Sequence, residues 1–146
     1  MKVPFLIGRA VFGGFFLYNG IHHFRNLREI AEYAKGKHVP LAEAGVAVSG
    51  MALIFGGASI LLGIKPKYGV AALAGFLAVV SPVIHDFWNA PAERQMTESI
   101  NFLKNMALLG AALALLGQEE PWPISVPVRE PGPIEKVVRL TKRLAA

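Results

Sequence analysis

Four stretches of apolar residues alternate with short polar stretches along this chain, and the charges gather between them. A helix needs about 20 residues to cross roughly 30 Å of hydrocarbon. Segment 3–24 reaches that length only by including Arg9, whereas 44–64 carries no charge at all. Segment 68–88 is uncharged as far as Ile84 and then meets His85 and Asp86, and segment 100–117 includes Lys104. One such segment could be the buried helix of a soluble core. Four of them in 146 residues leave too little polar surface to solvate a globule. The pattern predicts an all-α protein, an integral membrane four-helix bundle.

The connections carry their own signals. Leu27, Ile30, Ala31 and Ala34 keep helical spacing, and Gly36 follows, which predicts a short amphipathic helix over 26–35 at the membrane surface. Residues 64–68 read as a tight basic turn, and Ser81-Pro82 predicts a kink just before His85. Asn89-Ala90-Pro91 resembles a helix start, so the last helix is expected to project from the membrane before Ile100. Lys2 and the apolar stretch behind it have the outline of a secretory signal. Arg9 interrupts that stretch and no small-x-small site follows, which favours an uncleaved first span. The expected organisation is a transmembrane domain over 1–118, a proline-rich linker over 119–132 and a basic amphipathic tail helix over 133–146. In that tail Lys136, Arg139, Lys142 and Arg143 oppose Ile134, Val137, Val138 and Leu144, a face suited to anionic lipid. Small residues are spread through all four segments, several pairs of them four apart, which permits close helix contacts within one chain or in a homo-oligomer.

The net charge of +5 raises the question of nucleic acid. Nucleic-acid binders spread cations along a solvated face, whereas here they flank apolar segments, which points to the lipid bilayer and away from nucleic acid. Phe87, Trp88, Tyr68 and Trp122 fall where interfacial aromatics belong. With no cysteine, the chain supplies no thiol nucleophile, thiolate ligand or iron–sulfur site. Four spans put Lys2, Lys65, Lys67, Arg129 and the four tail cations on one side, eight against five on the other, so both termini are expected in the cytoplasm, at the plasma membrane.

Antiparallel connection brings the polar residues of all four segments to one membrane face. There lie His22 and His23 with Asn19, Glu43, His85 and Asp86, and the stripe Asn101, Lys104 and Asn105. Ionisable groups within a membrane cost about 2.5–3.5 kcal/mol at its centre and turn inward to pair, so Asp86 and Glu43 are the expected partners of Lys104. Two readings stay open, a functional polar pocket and an interfacial belt held by one structural ion pair. His22, His85, Asp86 and Glu43 have the chemistry of metal ligands, but no spacing demands a metal and none is expected. Arg9 stands alone near the opposite face, placed either to steady a quinone or lipid headgroup or to snorkel.

At these residues the chain resembles the DoxX family of small four-helix membrane proteins. The likeness rests on Gly8-Arg9, Gly13, Phe16-Leu17, Gly20 and His22-His23-Phe24, on His85-Asp86-Phe87-Trp88, and on the run Asn101-Phe102-Leu103-Lys104-Asn105 through Gly110, within 9–116. The resemblance implies a fold and a membrane address. It also implies association with quinone-linked sulfur oxidation and membrane oxidoreductase assemblies, while distant relatives in the family act as chaperones or cargo receptors. Two functions follow from it. One is an accessory subunit, non-catalytic or quinone-presenting, beside a membrane or peripheral redox partner and with no intrinsic cofactor. The other is a scaffold or chaperone without a redox role.

Overall fold

The computed structural model describes residues 3–127, which form helices and loops with no strand among them. Helix α1 spans Val3–Arg25, α2 Leu27–Gly36, α3 Ala42–Leu62, α4 Pro66–Ile84 and α5 Ala92–Leu116, with one 3-10 turn, Phe87–Asn89, before α5. The tail expected to form a helix over 133–146 lies outside the described residues. Among those described, three stretches are long and apolar enough to cross a membrane: α3, α4 with the turn after it, and α5. Helix α1 matches them in length, with Arg9 in its first half. Among the described residues the α-helices therefore number five, four long and one short.

The packing follows chain order: α1 lies along α3, α3 along α4 and α4 along α5, while α2 folds back onto α3. Glycine makes the first of these contacts. A Cβ added at Gly57 would stand 2.5 Å from the Leu17 nitrogen, and one at Gly20 would stand 2.7 Å from the Ile54 nitrogen. Backbone meets backbone there, the means by which helices associate in lipid, where no hydrophobic force pushes them together. The small residues thus serve contacts inside the chain at Gly13, Gly20, Gly56 and Gly57, while Gly14, Gly45, Gly75 and Gly110 have nothing within 4 Å of an added Cβ.

The basic turn between α3 and α4 is built as its sequence suggests. Gly63 adopts φ +68°, a left-handed value open to a residue without Cβ, and Pro66 opens α4 where its missing N–H costs nothing. Ser59 closes the turn, its hydroxyl donating to the Ile64 carbonyl at 2.6 Å. At the far end Pro82 lies inside α4, which runs on to Ile84, and the His85 amide still donates to the Ser81 carbonyl at 3.0 Å. Helix α5 starts at Ala92, eight residues before the apolar stretch, as the Asn89-Ala90-Pro91 signal suggested.

The core joins Phe12 and Phe16 of α1, Leu53 and Ile60 of α3, Val70, Leu73 and Leu77 of α4, and Ala112 of α5. Trp122 belongs to it too. Expected at the interface, it is 3% exposed and packs edge-on against Phe5 at 5.3 Å. The chain after α5 folds back over the bundle because Arg9 holds it there. The guanidinium donates to the carbonyls of Pro123 at 2.7 Å, Ile124 at 2.8 Å and Leu61 at 3.0 Å, and the Val126 amide adds a bond to Leu62 at 2.9 Å. Arg9 is buried, where the sequence had suggested a headgroup or quinone contact or a snorkelling side chain. Its donors are met by the chain's own carbonyls, as a buried charge requires.

The glycine contact gives the first test. Gly57→Ala is expected to lower stability by about 1–3 kcal/mol through overpacking. Gly14→Ala, where an added Cβ meets nothing, is expected to leave it unchanged or slightly raised. Reversible unfolding in mixed micelles measures both.

Candidate functional site

Helix α5 turns one narrow ridge inward, and its buried residues are Glu98, Asn105 and Ala112. They stand seven apart, two helical turns, which keeps them on one line along the helix. Lys104 is one position, about 100°, away from that line. It is exposed, and its ammonium donates to Asn101 Oδ1 at 3.0 Å. The pairing expected between Lys104 and Asp86 or Glu43 does not form: Asp86 pairs with Lys37 at 2.5 Å, and Glu43 lies 3.6 Å from Lys35 on the surface.

The buried acid at this face is Glu98, 3% exposed. A carboxylate so placed is stable only when charges and donors surround it. Tyr33 of α2 donates to Oε1 at 2.8 Å, and Arg94, one turn back on α5, donates to the same oxygen at 2.8 Å. His85 meets Oε2 through Nδ1 at 2.9 Å, and Lys37 lies 3.9 Å from Oε1. A carboxylate only accepts, so Nδ1 carries the hydrogen, and in the neutral ring Nε2 is the acceptor. Burial first, and then the bond to Glu98, push the Tyr33 phenol above its ordinary pKa, which keeps it a donor. Arg94 also lies over the Tyr33 ring, 5.7 Å from its centroid. Through these contacts Glu98 and Asp86 tie together α2, the loop after it, the end of α4 and the start of α5.

Beneath this cluster lies a cavity of about 610 Å³. Helices α3 and α4 are closest near their turn, where a Cβ at Gly56 would stand 2.9 Å from the Gly69 carbonyl oxygen. The cavity occupies the other half of that interface, from Ala52 and Ala72 to Gly45 and Val83. Most of its lining is apolar: Phe16, Val46, Leu53, Phe76, Leu77 and Leu108 among others. Polar atoms enter from Asn19, His23, Ser49, Tyr33, His85, Lys104 and Asn105. His23 bonds its own helix through Nδ1 to the Asn19 carbonyl at 2.8 Å and stands edge-on to Phe76 at 6.4 Å. An apolar chamber with a few polar groups is the usual form of a small-molecule site.

Of the residues the sequence singled out, His23, His85, Lys104 and Asn105 line the cavity. His22 faces away, 3.0 Å from the Asn26 amide nitrogen and stacked with Tyr18, while Glu43 and Asn101 sit in surface contacts. Asp86 serves the ion cluster. Among the described residues no three of His, Asp and Glu gather as a metal-binding group, and His22 and Glu43 are held apart from His85 by their own partners. Sequence reasoning missed Glu98, Tyr33, Lys37 and Arg94 as a unit. The Arg94–Glu98 spacing and the seven-residue step from Glu98 to Asn105 were the signals available.

Comparison with known families finds that the family model described as DoxX matches residues 5–86. The match covers α1 to the end of α4 and includes His85 and Asp86, whereas the run at 101–110 lies beyond it. No curated protein and no solved structure matches the chain.

The cluster and the surface lysine separate by mutation. Glu98→Ala is expected to lower stability by about 3 kcal/mol, because it strands the donors that surround a buried acid. Lys104→Leu is expected to change stability by less than about 0.5 kcal/mol, as for an exposed site. Thermal melting of both variants in detergent checks the contrast.

Proposed function

The chain belongs to the DoxX family, and on that premise we propose that it is an accessory subunit of a membrane oxidoreductase system, holding a lipid-soluble quinone for a redox partner. The observation that carries this reading is the apolar cavity of about 610 Å³ with polar groups from four helices and a loop at its edge. Quinones need such a place: a greasy slot for ring and tail, and hydrogen-bonding groups for the carbonyls. The polypeptide itself is read as non-catalytic. With no cysteine, it depends on its partner for any thiol or iron–sulfur chemistry.

On this reading the bundle crosses the plasma membrane four times with both termini in the cytoplasm. The burial of Arg9 supports counting α1 as the fourth span, since the one charge that lowers its apolarity faces carbonyls and not lipid. The excess of cations on the side of the termini supports the orientation.

The alternative, a scaffold or chaperone without a redox role, has its own support. The Glu98 cluster is satisfied within the chain, so its residues can be explained by bundle stability alone. Extraction of the purified protein separates the two readings. An oxidoreductase accessory is expected to carry quinone at a substantial fraction of one per chain and to melt higher when a short-chain quinone is added. Protein that holds no quinone and gains no stability from it belongs to the scaffold reading.

A further inference from the structure

The cavity reaches the outside between α3 and α4. Gly45 and Val48 on α3 and Gly75, Val79 and Val83 on α4 line it and are exposed, which makes this its apolar edge, while Phe15, Tyr33 and Lys104 are exposed on its other walls. Gly75 has nothing within 4 Å of an added Cβ, which leaves this edge wide. On the α5 side of the same cavity stands Asn105, 8% exposed. Its side-chain amide makes no hydrogen bond among the described residues. The amide atoms are not sealed off, the enclosed polar atom without a partner among the described residues being Trp122 Nε1, so the Asn105 amide is open to a group that enters the cavity. Two neighbours on the lining bond elsewhere, Lys104 to Asn101 and His23 to its own backbone.

We infer that this is a lateral binding site for a single-chain amphiphile dissolved in the bilayer, with the chain passing between α3 and α4 beside Gly75 and the head hydrogen-bonded to the Asn105 amide. The inference rests on the cavity reading above and adds the route and the reading residue. An amide offers both a donor and an acceptor, so it suits a head that carries a carbonyl or a hydroxyl. It offers no charge, so it does not favour phosphate or carboxylate heads as an arginine would. Entry from the side needs no opening of the Glu98 cluster, which can stay locked while ligand exchanges with the membrane.

The test uses the full chain in lipid nanodiscs with three probes: a decyl-substituted quinone, decanol, and decane as a chain without a head. Asn105→Leu is expected to weaken the quinone and decanol by about tenfold, the loss of one hydrogen bond, and to leave decane unchanged. Gly75→Trp is expected to weaken all three by at least about tenfold, while Gly110→Trp, on α5 outside the cavity, changes none. Should Asn105→Leu fail to fold, Gly75→Cys in this cysteine-free chain gives an independent readout. Its labelling by a lipid-soluble maleimide is expected to slow severalfold when the quinone is bound. Wild-type affinities in both Asn105→Leu and Gly75→Trp, or labelling of Gly75→Cys that ignores ligand, overturn the inference. If wild type binds decanol in an Asn105-dependent way but not the quinone, the quinone reading falls and the lateral site stands. Wild type that binds none of the three removes both.

Discussion

Glu98 sets the terms for the rest of this molecule. A carboxylate with almost no access to solvent, on a helix that among the described residues packs chiefly against α4, must draw its partners from other parts of the chain. It draws them from Tyr33, 65 residues earlier in sequence, and from His85, 13 residues earlier, with Arg94 on its own helix. Those bonds hold the amphipathic helix α2 against the bundle and fix the place where α4 ends. They also pin α5 at the end where the helices leave the most room. The ion cluster and the cavity are therefore two consequences of one arrangement: polar groups that satisfy one another at the membrane face, over a chamber that backbone contacts leave open.

At the other end the problem is solved differently. Close glycine contacts bring α1 onto α3 and α3 onto α4, and Arg9 is neutralised by three carbonyl dipoles rather than by an acid. That choice makes the segment after α5 part of the fold. Pro123 and Ile124 give up their carbonyls to Arg9, and Trp122 fills the core beside Phe5. A guanidinium with five donors suits this role, since several carbonyls can share it without a matching charge. The tight end and the open end are thus held by different physics, packing in one case and ionic hydrogen bonding in the other.

The helices were legible in the sequence because hydrophobic length is a local property. The stretch without charge at 44–64 and the spacing of Leu27, Ile30, Ala31 and Ala34 each predict their helix within two residues of α3 and α2 at either end. The site was legible only in part. His23, His85 and Asn105 were placed at the right face, but Lys104 was given the inward role that belongs to its neighbour, because one step along a helix turns a side chain by about 100°. Glu98 was passed over because it precedes the apolar stretch of α5, where hydropathy marks a surface. Its burial depends on α2 folding back, a tertiary event with no local signal. The partners of Arg9 were hidden for a similar reason, since they are backbone groups in a segment without periodicity.

The absence of cysteine makes the central claim directly measurable. Glu32 on α2 and Met96 on α5 are both exposed, so spin labels on Glu32→Cys and Met96→Cys report the two elements that Glu98 joins without touching the cluster itself. Pulsed electron resonance of this pair in lipid nanodiscs at neutral pH measures whether α2 and α5 move as one body. A single narrow distance distribution is expected. A broad or bimodal distribution, with α2 wandering relative to α5, would contradict it.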